Sequence, residues 1–267
     1  MRIESGDRGD KAIDCAGSLR RSILGFLAVT ATAFAACCAA LAATGSVWLA
    51  VDMILWTIPV IGAFAIFSLR NMQFFHRPDG REVCCFEAAN ALTAVRIFLV
   101  PPVLVLLNHG YIMQGAILWL IAELTDVADG FVARRFRQET DFGLMIDPVG
   151  DIMATISVFT WLFISGRVPS WLFALLVARY VQFCAGLAIL SLTGRLPKLH
   201  ATLAGKAVGV VQGAIIMFLL LRTALGDPGR LTSYDHILFP VLGAAFLSVI
   251  VSQTAIGLRA VRDHDAS

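Results

Sequence analysis

The sequence predicts an all-α fold: a polytopic membrane helical bundle with a six-helix core and two extra N-terminal transmembrane helices. Three observations predict it. Charged residues make up 15% of the 267-residue chain, against about 25% in soluble domains, and the mean hydropathy is +0.79. The apolar residues fall into eight blocks, at 22–43, 47–69, 89–107, 110–129, 143–165, 169–193, 199–222 and 237–258, each near the ~20 residues a helix needs to cross a bilayer. Lys and Arg are unevenly shared between the connections. With the N-terminus inside, the inner segments hold five in 1–21, three in 70–88, three in 130–142, two in 194–198 and two in 259–267. The outer loops hold only Arg167, Arg222 and Arg230. Such a bias sets both ends on the cytoplasmic side, and the net charge of +2 reflects topology rather than an affinity for nucleic acid.

In chain order, residues 1–21 are polar and of mixed charge, a cytoplasmic tail. The first span follows Arg20 and Arg21 and closes an Ala-rich run with "FAACC", features shared with cleavable export signals. Its apolar run is long, which favours a retained helix. The second span carries Asp52, a lone carboxylate near the outer end of its helix, expected to sit exposed at the interface. Residues 70–88, "RNMQFFHRPDGREVCCFEA", mix aromatic and basic residues as an interfacial linker does. They divide a two-helix membrane module and linker (22–85) from the six later spans (86–258), after which 259–267 is a second short tail. The six cysteines form two adjacent pairs and two singles without Cys-x-x-Cys spacing. That excludes a zinc site or disulfide framework and assigns them to packing.

One stretch breaks the apolar pattern. "LTDVADGFVARRFRQETDFGLMIDPVGD", residues 124–151, holds five aspartates, one glutamate and three arginines. Asp126 and Asp129 are three apart, Asp147 and Asp151 four apart, so each pair shares one helix face. The two helices are antiparallel neighbours, which puts all four carboxylates at a similar depth below the cytoplasmic surface. Gathered at low dielectric, they repel unless neutralised. An oxygen-only donor set suits a hard divalent cation, Mg²⁺ or Mn²⁺, as one ion or two. Small residues Gly130, Ala133 and Gly143 leave room at the same corner for a ligand to approach the backbone, and Arg134 is able to fork onto a phosphate. Arg135 and Arg137 are read as topology charges.

Asp126-x2-Asp129-Gly130-x2-Ala133-Arg134-x8-Gly143-x3-Asp147-x3-Asp151 resembles, at all eight fixed positions, the signature of the CDP-alcohol phosphatidyltransferase family. "NALTAVRIFLVPP" is similar to that family's first membrane helix, and "GKAVGVVQ" to a later Gly-Lys segment. The resemblance covers roughly 86–258 and implies a six-helix catalytic core. It implies that Asp126, Asp129 and Asp147 hold the metal, with Asp151 beside them as the base. Asp126, Gly130, Ala133, Arg134 and Gly143 would surround the CDP group. Asp151 would take the proton of an acceptor hydroxyl, which attacks the lipid-linked phosphorus and expels CMP. Two departures stand out: "DPVGDI" has Gly150 and Ile152 where members often have Ala and Lys, and Gly209 replaces a Thr.

Three cations fall inside predicted spans, at a cost of about 2.5–3.5 kcal/mol each at a helix centre. Arg96 and Lys206 lie at the depth of the aspartates. They either hold the acceptor phosphate or the pyrophosphate, or pair with the carboxylates and Glu123. Arg179, nearer mid-membrane, is a weaker candidate for the same role, and Arg195 and Lys198 are topology charges. The expected activity is transfer of a phosphatidyl group from CDP-diacylglycerol to an alcohol, glycerol 3-phosphate or phosphatidylglycerol, in phospholipid biosynthesis. The expected setting is a bacterial inner membrane, with the site facing the cytoplasm and, by resemblance, a homodimer. The alternatives are transfer from a soluble CDP-alcohol to diacylglycerol and, in another class, divalent-cation transport along the aspartates.

Overall fold

A computed structural model describes residues 4–77, 79–192, 203–226 and 235–265, with side chains described over 14–77, 79–186, 207–226 and 235–255. Among these the chain forms eight α-helices and a short 3₁₀ turn, without a β-strand. The helices are α1 (Glu4–Ala43), α2 (Val47–Arg70), α3 (Ala88–Asn108), α4 (Ile112–Phe136), α5 (Asp141–Ile164), α6 (Ser170–Leu192), α7 (Leu203–Ala224) and α8 (Asp235–Asp265). Six of them contain a segment long and apolar enough to cross a membrane: α1, α2, α3, α5, α7 and α8. The expected polytopic all-α architecture is the observed one. α4 falls outside that set, since it carries Glu123, Asp126, Asp129, Arg134 and Arg135. In α6 the described apolar stretch is the shorter Ser170–Gly186. Large apolar side chains such as Trp48, Leu55, Trp56 and Ile58 stay exposed along α2, as a lipid-facing surface requires.

Helix ends follow local chemistry. α1 and α3 each run into a glycine at positive φ, Gly45 at +90° and Gly110 at +82°, the left-handed conformation that ends a helix at least cost. α4 ends instead on Arg137 at φ 54°, after Arg134 and Arg135 in the last turn, where cations favour the negative end of the helix dipole. Pro59, Pro101, Pro102, Pro148 and Pro240 lie inside helices, a placement membrane helices tolerate.

The chain divides into two compact units, Met1–Ala154 and Thr155–Ser267. In the first, α1 packs on α2, α2 on α3, and α3 most extensively on α4. Its core is rich in phenylalanine: Phe64, Phe75, Phe98 and Phe142 are buried with Leu19, Ile23 and Ile97. In the second unit α6 and α7 both pack on α8, around Leu172, Leu176, Ile216, Leu220, Leu242 and Phe246. Arg222 on α7 pairs with the buried Asp235 at the start of α8 at 2.7 Å.

Several expectations need correction. The first helix begins at Glu4 and not at residue 22; the polar composition of 1–21 hid its start, and Leu19 and Ile23 within it are buried. α4 continues to Phe136, so the charged run 126–135 is helical, the arginines being good helix formers. Cys15 and Cys84 form a disulfide with Cα atoms 4.6 Å apart, while Cys37, Cys38, Cys85 and Cys184 are free. The partners are 69 residues apart in sequence, so no spacing rule could pair them. Asp52 has a partner after all: its Oδ2 lies 2.7 Å from Nε2 of His109 at the end of α3. Arg195 and Lys198 lie outside the described residues.

Gly243 of α8 tests the packing of the second unit. A Cβ there would fall 2.6 Å from Cζ3 of Trp171 and 3.1 Å from its Cη2, and an indole ring yields poorly. Overpacking of this kind costs about 1–3 kcal/mol, so Gly243→Val is expected to lower the thermal transition of the detergent-solubilised protein, whereas Gly209→Val, where a Cβ meets nothing within 4 Å, leaves it unchanged.

Candidate active site

Three helices of the first unit build the site. α3 contributes Asn90, Thr93 and Arg96, spaced by three and thus on neighbouring turns of one face. α4 contributes Asp126, Asp129, Gly130, Ala133 and Arg134, and α5 contributes Gly143, Asp147, Gly150 and Asp151. The start of α5 is fixed by its unsatisfied first-turn amides. The Gly143 N–H donates to Thr140 Oγ1 (3.0 Å), and the Leu144 N–H to the Thr140 carbonyl (3.0 Å). Thr140 in turn donates from Oγ1 to Asn90 Oδ1 at 3.1 Å, which ties the cap of α5 to α3. Gly143 is necessary to this closeness, because a Cβ on it would stand 2.8 Å from Asn90 Oδ1 and 3.3 Å from Thr140 Oγ1.

The four aspartates converge in two bridged pairs. Thr93 Oγ1 lies 3.1 Å from Asp129 Oδ2 and 2.9 Å from Asp147 Oδ1, joining α4 to α5 through α3. Arg96 Nη1 makes an ion pair with Asp126, another with Asp151 at 3.0 Å, and reaches Asp129 at 4.0 Å. Its Nη2 donates to the Asp147 carbonyl at 3.3 Å. Arg96 is only 1% exposed, while the Asp126 and Asp151 side chains are about half exposed. A buried guanidinium is tolerated only with partners, and these carboxylates are the partners. Pairing with the carboxylates is one of the two roles expected for Arg96. Gly150 gives it the space, since a Cβ there would come within 3.1 Å of Nε and Nη2.

Beside Thr93 a hollow, open to the outside, lies between the three helices. Asn90 and Thr93 line it from α3, Asp129, Gly130, Ala133 and Arg134 from α4, and Gln138, Thr140, Gly143 and Asp147 from the α4–α5 connection and α5. Gly130 is lined by nothing closer than the tip of Arg134, so the helix backbone is approachable there. The Asn90 amide nitrogen is buried without a hydrogen-bond partner among the described residues, a donor on the wall of the hollow.

Most of the expected nucleotide set, Gly130, Ala133, Arg134 and Gly143, therefore shares one hollow with Asp129 and Asp147. Asp126 and Asp151 do not line it; they sit on the Arg96 side. All four aspartates are brought together, but as pairs around a hydroxyl and a guanidinium. Among the described residues no three acidic or other ligating groups are arranged as a ready metal cage. The donor chemistry, oxygen only and doubly anionic on each side, still fits a hard divalent ion.

Arg179 belongs to the second unit, where Nη1 donates to Gln212 Oε1 at 2.7 Å and the guanidinium lies 5.4 Å from the Tyr180 ring centroid and 5.5 Å from that of Phe246. The Lys206 side chain lies outside the described residues. Sequence reasoning missed Asn90, Thr93 and Thr140 as site residues. The signal available was the three-residue spacing of Asn90, Thr93 and Arg96, polar groups on one face of an otherwise apolar helix.

Residues 86–254 match the CDP-alcohol phosphatidyltransferase family. The chain belongs to that family, and it is a transferase of substituted phosphate groups, which decides against the ion-transport alternative. Among similar proteins, a probable phosphatidylglycerophosphate synthase of Mycobacterium tuberculosis is 29% identical over 66% of this chain and 82% of its own length. A CDP-diacylglycerol–glycerol-3-phosphate 3-phosphatidyltransferase of Bacillus subtilis is 26% identical over 62% of this chain and 91% of its own. One of the same description from Rickettsia typhi is 30% identical over 60% and 90%.

Two substitutions probe the geometry. Thr93→Val keeps the shape and removes the hydroxyl between Asp129 and Asp147; with the two carboxylates no longer held in place, turnover is expected to fall by roughly 10- to 100-fold in a folded protein, as for a reacting group misplaced by about 1 Å. Gly143→Ala pushes α5 from Asn90 and is expected to lower both turnover and the thermal transition, the latter read by scanning fluorimetry.

Proposed function

We propose that the chain transfers the phosphatidyl group of CDP-diacylglycerol to glycerol 3-phosphate and releases CMP, at the cytoplasmic face of a bacterial inner membrane. The observation that carries this reading is the hollow beside Thr93, where the signature's small residues and Arg134 meet Asp129 and Asp147. Relatives named for the glycerol 3-phosphate reaction support the choice of acceptor. Lys and Arg gathered on the α4–α5 side of the chain support the cytoplasmic orientation.

In this reading Gly130, Ala133 and Gly143 let the CDP group lie against the helix backbone, and Arg134, at the open edge, forks onto its phosphate. The Asn90 amide offers a hydrogen-bond donor to the same ligand. Asp126, Asp129, Asp147 and Asp151 would hold Mg²⁺ or Mn²⁺, which when bound supplies positive charge for the pyrophosphate and the departing CMP. Asp151, half exposed, accepts the proton of the acceptor hydroxyl as general base. The hydroxyl oxygen then bonds to the lipid-linked phosphorus, the bond from that phosphorus to the CMP oxygen breaks, and CMP leaves with the electron pair. Positioning and charge stabilisation supply most of the rate in such transfers. Arg96, beside Asp126 and Asp151, is the first candidate for holding anionic oxygens of the reactants. Lys206 and Arg179 follow on charge alone. A homodimer remains an expectation of the family resemblance.

The purified protein, given CDP-diacylglycerol, Mg²⁺ or Mn²⁺ and glycerol 3-phosphate, is expected to release CMP, and Asp151→Asn to reduce the rate by at least about 100-fold. Phosphatidylglycerol, serine, inositol phosphate, and diacylglycerol with a soluble CDP-alcohol form the comparison panel. CMP release with one of these and not with glycerol 3-phosphate would overturn the acceptor assignment. Chelation of divalent ions is expected to abolish turnover, and restoration by Mg²⁺ or Mn²⁺ but not by Na⁺ checks the metal requirement.

A further inference from the structure

The family match begins at residue 86, which leaves α1, α2 and most of the connection 71–87 without an assigned role. We infer that this N-terminal segment is a brace that positions the start of α5, and with it Asp147 and Asp151, with Phe75 and Phe142 as the contact through which it acts. The inference rests on the reading that these two aspartates serve the transfer.

Three links converge on the first turn of α5. Phe142 is wholly buried and its ring stacks on Phe75 of the connection, centroids 4.1 Å apart at 20°. Phe64 and Phe67 of α2 close the cage at 6.2 and 5.9 Å. The backbone of the connection holds the same turn directly: the Asp141 N–H donates to the His76 carbonyl at 3.1 Å, and His76 Nδ1 lies 3.2 Å from Asp141 Oδ2. The connection is itself held in shape. Val83 N–H donates to the Phe75 carbonyl at 3.0 Å and Arg77 N–H to that of Arg81 at 2.9 Å.

The connection is then anchored to the N-terminal helices. Cys84 is disulfide-bonded to Cys15 of α1, and the Phe86 N–H donates to Ser22 Oγ at 2.9 Å. Phe142 immediately precedes Gly143, where α5 packs against Asn90 of α3, and Asp147 follows one turn later, with Asp151 a turn beyond it across Pro148. A tilt at Phe142 is therefore carried first to Asp147, and to Asp151 through the turn that contains the proline. Among the described residues no hydrogen bond or ion pair ties α4 to the connection; the α4–α5 loop meets the start of α3, where Gln138 Oε1 accepts from the Ala89 N–H at 3.4 Å. The brace thus acts on one half of the bridged carboxylates and sets its register against the other half.

Phe75→Ala and Phe75→Leu in the full-length protein test this. For Phe75→Ala, kcat for CMP release per folded molecule is expected to fall by roughly 10- to 100-fold, as for a reacting group misplaced by about 1 Å. The Michaelis constant for CDP-diacylglycerol should change much less, and amide hydrogen exchange should quicken in 141–151 but not in 235–255. Phe75→Leu, which refills the cage, is expected to restore kcat to within about threefold. A contact of merely structural value would lower the yield and thermal transition while leaving kcat below that transition unchanged, and that outcome overturns the brace. Should Phe75→Ala not be recovered as monodisperse protein, Phe67→Ala is read by the same criteria. Faster exchange in 141–151 from a protein whose wild type releases no CMP would sustain the brace and remove the transfer reading; unchanged exchange and kcat in an active protein would do the reverse.

Discussion

Negative charge held inside apolar helix packing is the constraint on which the first unit depends. Four carboxylates from α4 and α5 converge on two groups of α3: the Thr93 hydroxyl lies between Asp129 and Asp147, and the Arg96 guanidinium pairs with Asp126 and Asp151. Much of the local sequence follows from that convergence. Gly150 is small because Arg96 must lie against it. Gly143 is small because α5 must come close enough to α3 for Thr140 and Asn90 to meet. Both glycines sit inside a helix, where glycine costs roughly 0.5–1 kcal/mol relative to alanine, and close approach is the compensation.

The same convergence joins structure to chemistry. A carboxylate group that needs a cation to be stable is also one that can hold a bound one. Arg96 is buried and tethered to α3, while Asp126 and Asp151 remain half open to the surroundings. If a divalent ion binds, those oxygens would be among the ones that hold it, with Arg96 beside them as a further cation. The departure of Gly150 from the residue common in the family falls at a variable position of the signature, immediately before Asp151, and is a local adjustment around Arg96.

The N-terminal helices change how the family core is viewed in this chain. α1 and α2 fall in the same compact unit as α3, α4 and the first half of α5, and they share the phenylalanine-rich core that contains Phe142. Aromatic side chains bury large areas at little rotamer cost. A cluster of them is a stiff joint between a segment outside the family match and the helix carrying two of its aspartates.

By itself the sequence determined the all-α membrane class, the helical paths of most spans, and the identity of the four aspartates. These are properties of hydropathy, period and local spacing, which act over a few turns. Asp126 with Asp129, and Asp147 with Asp151, share faces by spacing alone. What spacing could not decide is which third helix balances them. Thr93 lies 36 residues from Asp129 and 54 from Asp147, and only the packing of α3 between α4 and α5 brings its hydroxyl to both. The same holds for Cys15 with Cys84, Asp52 with His109, and Phe75 with Phe142, each a pair whose members look solitary along the chain. Burial and pairing across helices are settled by tertiary packing, because a side chain's partner in a helical protein is chosen by which faces meet and not by its distance in sequence.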